Sequence, residues 1–385
     1  REGVGRSLSR MGGAPDLMQF HWWTFKHPAW IDALREMAAM RAEGALLHIG
    51  VTNFDTDHLR VALKHGIPVV TNQLSFSLLD RRAAGRMSDL CRASGVKLLA
   101  YGTLGGGFLS ERWLSRDEPA ESDIADWSKM KYRRFIGAAG GWAPFQRLLT
   151  EAQAVARRHG VSLSNVATRW VLEHPAAGAV IVGARLTEAE HRADNLRLFS
   201  FALDDEDHAR LAHALAAMPP IPGDCGDEYR KPPYLTAAGD LSHHLESLPK
   251  AYEATEFRPG RRRVDSGSVW ETACGYSRAV RVGDRILVSG TTATHTEGSV
   301  VCPGDAEGQA IYILDKIAAA IEALGGTMED VVQTRIWLRD ANDWEGVGRA
   351  HGRVVAAARP ANTLVEVARL VGPYLVEIEA EAVVG

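Results

Sequence analysis

The chain has 385 residues, a formal net charge of −4 at pH 7, 46% hydrophobic residues and 24% charged residues. This composition excludes disorder over most of the length and leaves room for two ordinary domains. The small net charge gives no overall pull toward nucleic acid or an anionic membrane. No window approaches about eighteen uncharged apolar residues, so no membrane span is expected.

The N-terminus, Arg1 to Arg6, is basic, lacks an initiator Met and lacks the apolar core of a signal peptide. It reads as an amphipathic helix inside a longer gene product. Short apolar runs then alternate with helical patterns. Leu17–His21 is followed by a helix over 31–42, Leu46–Val51 by a helix over 55–65, and Ile67–Val70 by a helix over 82–94 that Gly95 ends. A fourth run, Val96–Tyr101, precedes a long insertion and two helical stretches, and a fifth run is Ala179–Gly183. Strand, helix, strand with short joins is the mark of βα units on a parallel sheet. At this level a doubly wound sheet and a barrel look alike.

From about Met218 to Arg263 the texture changes. Pro219-Pro220-Ile221-Pro222-Gly223 and Lys231-Pro232-Pro233 break any regular element. His243-His244 lies in this connector without a carboxylate or Cys at metal-binding spacing, so no metal site is expected. The last third predicts a hairpin, Ala279–Val282 with Ile286–Val288 around Gly283-Asp284. A helix follows, with Ile311, Leu314, Ile317, Ile321 and Leu324 on one face. A strand over 331–338, a helix over 344–357 and closing strands over 364–367 and 375–384 complete an α+β pattern. Cys91, Cys225, Cys274 and Cys302 form no C-x-x-C pair and suggest no disulfide framework, which fits a reducing compartment such as the cytoplasm.

Over roughly residues 1–240, five motifs stand in the order of an aldo-keto reductase. They are Asp16–Trp22, Gly50–Phe54, Thr71-Asn72-Gln73 through Arg81, Ala100–Gly107, and Gly183-Ala184-Arg185 with Asp194-Asn195-Leu196. The resemblance implies a TIM-type (β/α)8 barrel with its site at the C-terminal ends of the strands. It implies NADP(H) as cofactor and a small carbonyl compound or alcohol as substrate. His21 would donate to the substrate oxygen as charge develops there. Thr52, Asn53 and Gln73 would hold the nicotinamide carboxamide, which both donates and accepts. Tyr101 would stack on the nicotinamide ring. Thr103, Leu104, Gly105, Gly106 and Gly107 would bring backbone close to the pyrophosphate. Gly183, Arg185 and Asn195 would face the adenosine end. The bland alternatives are a packed strand-end histidine, ordinary core side chains and a glycine-rich turn. The five runs match the family's fourth to eighth strands only. The first three, with the acidic Tyr and its Asp and Lys neighbours, have no counterpart, and His21 alone represents the catalytic set. This chain by itself is therefore expected to lack reductase activity.

Residues 264–385 resemble the Rid/YjgF family, whose α+β fold is chorismate-mutase-like. The stretches that carry it are Tyr276–Val280, Val288-Ser289-Gly290, Gly325–Val332, Val365–Leu370 and Val376–Ala380. The resemblance implies a homotrimer with ligand clefts between subunits, lined by Tyr276, Gly290, Asn362 and Glu377. In the family's deaminases a Pro-Ala-Arg stretch grips a substrate carboxylate, and here it reads Pro360-Ala361-Asn362. Neutral Asn362 cannot offset that charge, so weak or absent deaminase activity is expected.

The expected organisation is thus a partial barrel of strands four to eight over 1–218, a Pro-rich extension and linker over 219–263, and the Rid-like domain over 264–385. Two functional readings remain open. One is a nicotinamide-dependent oxidoreductase with a Rid-like appendage. The other is a non-catalytic binding or oligomerisation protein whose Rid-like trimer binds a small molecule.

Overall fold

The computed structural model describes residues 1–124, 127–183, 189–230 and 250–385. After the surface helix α1 (Glu2–Met11) come β1 (Leu17–His21), β2 (His48–Thr52), β3 (Val69–Ser75), β4 (Lys97–Tyr101) and β5 (Ala177–Val180). They pair in that order and all in parallel. The helices α2 (Ala29–Ala42), α3 (Thr56–Lys64) and α4 (Arg86–Ser94) return the chain between the first four strands. Three helices, α5 (Trp127–Ala138), α6 (Trp142–His159) and α7 (Leu163–Leu172), fill the long crossover to β5. α8 (Ala189–Leu196) and α9 (Asp205–Ala216) follow it. Among the described residues β1 and β5 are free sheet edges.

Local chemistry sets these elements. Ile49 and Val51 are fully buried in β2, as expected of a parallel strand covered by helices. A Cβ on Gly50 would lie 2.3 Å from Thr71 Oγ1, so β2 and β3 meet over a glycine. α3 begins directly after β2 because Asp55 accepts a hydrogen bond from the His58 amide at 2.8 Å and caps the helix. The insertion builds its own core from Phe108, Phe135, Phe145, Leu148 and Leu149.

The C-terminal sheet has the order β11-β10-β12-β9-β8-β7-β6. Its strands are β6 (Ala254–Arg258), β7 (Arg261–Val264), β8 (Ala279–Val282), β9 (Arg285–Thr292), β10 (Val331–Leu338), β11 (Ala361–Glu366) and β12 (Val376–Val383). The β10–β11 pair is parallel and the others are antiparallel. The first hairpin, β6 and β7, begins inside the stretch read as linker and ends at Val264. A short α10 (Val269–Cys274) precedes β8, and α11 (Ala306–Ala323) and α12 (Trp344–Val355) complete the unit. In β12, Val376, Ile378, Ala380 and Ala382 are buried and alternate with Glu377, Glu379 and Glu381. One face of the sheet is thus covered by α11, while Leu287, Val332 and Val365 remain exposed.

α11 is buried on almost every side, because β9 and β12 pack on one flank and α3 of the N-terminal unit on another. A single apolar cluster therefore runs from Trp30, Phe54 and Leu59 to Ile311, Leu314 and Ile317. Charges cross the same boundary. His58 is buried with Nδ1 2.7 Å from both Asp55 carboxylate oxygens and Nε2 2.8 Å from Asp315 Oδ2. Arg353 on α12 lies 2.7 Å from Asp57, and Arg60 pairs with Asp305 at 2.9 Å. Burial alone lowers the pKa of His58, but the carboxylates of Asp55 and Asp315 outweigh it and raise the value. Burial raises that of Asp55, and His58 outweighs it in turn. The imidazole is therefore held as an imidazolium between two carboxylates. Among the described residues no helix is long and apolar enough to cross a membrane.

Candidate functional site

Parallel pairing brings the C-terminal ends of β1 to β5 to one edge of the sheet, where ligands bind in such folds. His21 closes β1, with its ring centroid 4.4 Å from that of Trp23. Lost hydration and the nearby charge of Arg230 hold its pKa below the ordinary value, so it is neutral at pH 7. Thr52 closes β2. Asn53 follows with φ 55°, a left-handed conformation unusual outside glycine. Its amide N–H donates to the Gln73 carbonyl at 2.8 Å, and its Oδ1 accepts from the Tyr101 hydroxyl at 2.7 Å. Gln73 Oε1 accepts from Gln19 Nε2 at 2.5 Å, and Gln19 Oε1 is buried with no hydrogen-bond partner among the described residues. The structure thus gathers His21, Thr52, Asn53, Gln73 and Tyr101.

The Tyr101 ring is already covered. Lys131 Nζ lies 5.4 Å from its centroid and also faces the rings of Tyr132, at 4.5 Å, and Tyr229, at 5.5 Å. The Tyr101 and Tyr229 hydroxyls are 3.1 Å apart. Burial pushes the Tyr101 hydroxyl well above its ordinary pKa, which makes it a poor proton donor. Thr103 is buried, with its Oγ1 3.4 Å from that of Thr168. Gly102 has φ 69°, and a Cβ there would lie 2.0 Å from the Tyr132 hydroxyl. After half-buried Leu104, Gly105, Gly106 and Gly107 all have positive φ. The Gly105 and Gly107 amides donate to Gly102 and Leu104 within the turn. At the end of β5 a second small cluster forms, where the Asn195 amide donates to the Gly183 carbonyl at 3.5 Å. Arg185, like His243 and His244, lies outside the described residues.

In the C-terminal unit, Glu377 on β12 pairs in register with Thr292 of β9. A Cβ on Gly290 would lie 2.3 Å from Glu377 Oε1, so this carboxylate needs a glycine beside it. Burial raises the pKa of Glu377, and Arg278 only partly opposes this. Arg278 donates to the Gly290 carbonyl at 2.9 Å and to Thr291 Oγ1 at 2.8 Å, and lies 5.7 Å from the Tyr276 ring. Through Arg278, Tyr276, Gly290 and Glu377 form one group. Asn362 is not among them within one chain. It lies on edge strand β11, and its amide donates to Thr334 Oγ1 at 2.9 Å.

Residues 1–216 match the aldo/keto reductase family model, and residues 268–384 match the family model described as endoribonuclease L-PSP. The first match covers more than half of the chain. The chain belongs to the aldo/keto reductase family. Its C-terminal part is a Rid/YjgF domain. Among reductase-type relatives, the protein Tas of Escherichia coli is 30% identical over 206 residues, 48% of this chain and 58% of that protein. The NADH-specific methylglyoxal reductase of E. coli is 26% identical over 227 residues, 57% of this chain and 64% of that enzyme. The chain therefore spans less than two thirds of either relative. A YjgF/YER057c/UK114-family protein of known crystal structure from Mycobacterium tuberculosis is 42% identical. That match covers 32% of this chain and 99% of the other, with a TM-score of 0.30.

Several residues that shape this aldo/keto reductase site carry no motif. Arg82 is buried between Asp80, at 2.7 and 2.8 Å, and Glu228, at 2.9 Å. This clamps the segment before Tyr229 and Arg230 onto the β3–α4 turn. Lys131 sits in a helix that reads as ordinary insertion, and Arg278 sits at the start of an apolar strand. Arg278 lies in the Tyr276–Val280 stretch that resembles the Rid/YjgF family, but Arg281 follows directly after that stretch, so the charge of Arg278 does not stand out. For Arg82 and Lys131 the partners are too distant in sequence for any spacing rule.

Proposed function

We propose that the aldo/keto reductase half holds NADP(H) along the ends of β1 to β5 and acts on a small carbonyl compound or alcohol. These strands would stand as the fourth to eighth of a (β/α)8 barrel. The convergence of His21, Asn53, Gln73 and Tyr101 at one sheet edge carries this reading. The donor set fits a carboxamide, because Gln73 is held by Gln19, whose Oε1 is a buried acceptor without a partner among the described residues. NADP(H), when bound, would supply or accept the hydride. Thr52, Asn53 and Gln73 would orient the carboxamide. Thr103 to Gly105 would border the pyrophosphate, and Gly183, Arg185 and Asn195 the adenosine end. Neutral His21 would donate an N–H to the substrate oxygen. None of these residues is a competent general acid, since Tyr101 is buried and bonded to Asn53 and Tyr229. The 385 residues by themselves therefore bind nucleotide without turnover. Tryptophan fluorescence on NADPH titration, with methylglyoxal reduction followed in parallel, tests this. Saturable quenching without turnover supports the reading. NADPH-dependent turnover refutes the claimed inactivity, and no response to either NADPH or NADH sinks the cofactor assignment.

The same reading makes 1–218, 219–263 and 264–385 the functional units, working in a reducing setting such as the cytoplasm. All four cysteines are free, which supports that setting. The Rid/YjgF unit would assemble as a trimer through the exposed sheet face that carries Leu287, Val332 and Val365. Light scattering should then give three times the chain mass. With Asn362 in place of a cation, iminopyruvate hydrolysis should be slow or absent. One observation favours the second reading, a binding or assembly protein: Lys131 already lies over the Tyr101 ring on which the nicotinamide would stack. If NADPH does not bind and the mass is trimeric, that reading stands.

A further inference from the structure

Where the two units meet, the loop after β1 and the start of α3 face α11 and α12 across a cavity of about 540 Å³. That volume suits a small organic molecule. Trp23, Phe25 and Met328 supply apolar wall. Most of the charges on the wall are already matched. His58 and Arg353 face Asp55, Asp57 and Asp315, and Lys26 pairs with Glu322.

Two cations on the wall, Arg230 and Lys250, make no ion pair among the described residues, although the Arg230 charge acts on Asp55. Arg230 stacks its guanidinium 4.5 Å from the Phe25 ring centroid and donates from Nη2 to the Asn53 carbonyl. Its Nε and Nη1 are buried without a hydrogen-bond partner among the described residues. Lys250, exposed at the rim, has no carboxylate partner among them either. Buried guanidinium donors left unpaired cost stability, and a carboxylate oxygen accepting from one of them makes a charge-assisted bond.

We infer that this cavity is a binding site for a small organic monoanion with a flat apolar body, its carboxylate on Arg230 and Lys250 and its body between Trp23, Phe25 and Met328. The site exists only when the two units are docked, because α11 and α12 form its far wall. It adjoins the sheet-edge site through Trp23, which packs on His21, is separate from the Rid/YjgF cleft, and does not depend on turnover. Arg230 also links it to the reductase half, because the Asn53 carbonyl that it holds lies one residue beyond β2.

Calorimetric titration of the full chain with 2-naphthoate, and with neutral 2-naphthamide, tests the inference. One saturable site should appear for 2-naphthoate, at least tenfold tighter than for the amide. Arg230→Gln should weaken it at least tenfold and Lys250→Gln about threefold. No saturable heat, equal affinity for the amide, or unchanged affinity in R230Q overturns the assignment. Should R230Q fail to fold, K250Q decides at the exposed rim: a loss supports the site and unchanged affinity overturns it.

Discussion

At the sheet edge of the reductase half, cations rest on aromatic rings: Lys131 faces Tyr101, Tyr132 and Tyr229. At the boundary between the units they rest on carboxylates, with His58, Arg353 and Arg60 against Asp55, Asp57, Asp315 and Asp305. The first arrangement is adaptable, because a cation over a ring has no fixed bonding direction and is worth about 0.5–2 kcal/mol. The second is rigid, because each buried charge depends on a particular partner. A ligand can displace a cation from the first kind of surroundings, whereas the second kind gives a fixed frame that holds the two units together.

The sharpest way to break this contrast is to remove one carboxylate from the junction. Asp315→Ala leaves His58 short of a partner and should cost roughly 3–5 kcal/mol, read as a lowered denaturant midpoint. An unchanged midpoint would mean that the junction is held by its apolar cluster alone. Gly102→Ala comes next, since it combines a strained positive φ with a collision on Tyr132, at a cost of roughly 1–3 kcal/mol. Gly290→Ala should cost less, because only the mobile end of Glu377 must shift. Its expected effect is a displaced carboxylate, visible as a changed Glu377 titration by NMR.

Two buried cations then give opposite pH dependences. The folded-state pKa of His58 is raised, so its contribution is complete below its ordinary value of about 6.5 and is lost as pH rises through the folded value. Lys316 donates to the Thr294 carbonyl at 3.0 Å, and burial, with Arg278 nearby, lowers its pKa to about 7. Its burial costs least once it is neutral, so stability should climb from about pH 7 toward its unfolded value. In Lys316→Met the rising component should vanish, leaving a melting temperature that falls with pH. A melting curve of Lys316→Met that still rises with pH would show that His58 is not the group in control. The smallest effect is expected at the adaptable site. Lys131→Ala uncovers the Tyr101 ring and should tighten NADPH roughly threefold to tenfold. Weaker binding would mean that Lys131 belongs to the nucleotide site rather than covering it.

Much of this was legible along the chain. The strand runs ending at His21, Val51 and Tyr101, and the stripe Ile311, Leu314, Ile317, Ile321, recur in the structure as β1, β2, β4 and α11, because burial imposes a regular period on apolar residues. The hairpin β6–β7 was not, since its strands are rich in exposed Arg and Glu and show no apolar alternation. Nor was the covering of Tyr101 by Lys131, which depends on how the long insertion folds back.

The amino-acid order alone determined the two kinds of layered unit and their sequence along the chain, because local periodicity and turn chemistry act between near neighbours. Only tertiary packing decided that the two units share one apolar core, that His58 meets Asp315 across 257 positions, and that Arg230 beside Phe25 has donors unpaired among the described residues. Such contacts follow from shape and charge balance over the whole fold, and no short stretch of sequence encodes either.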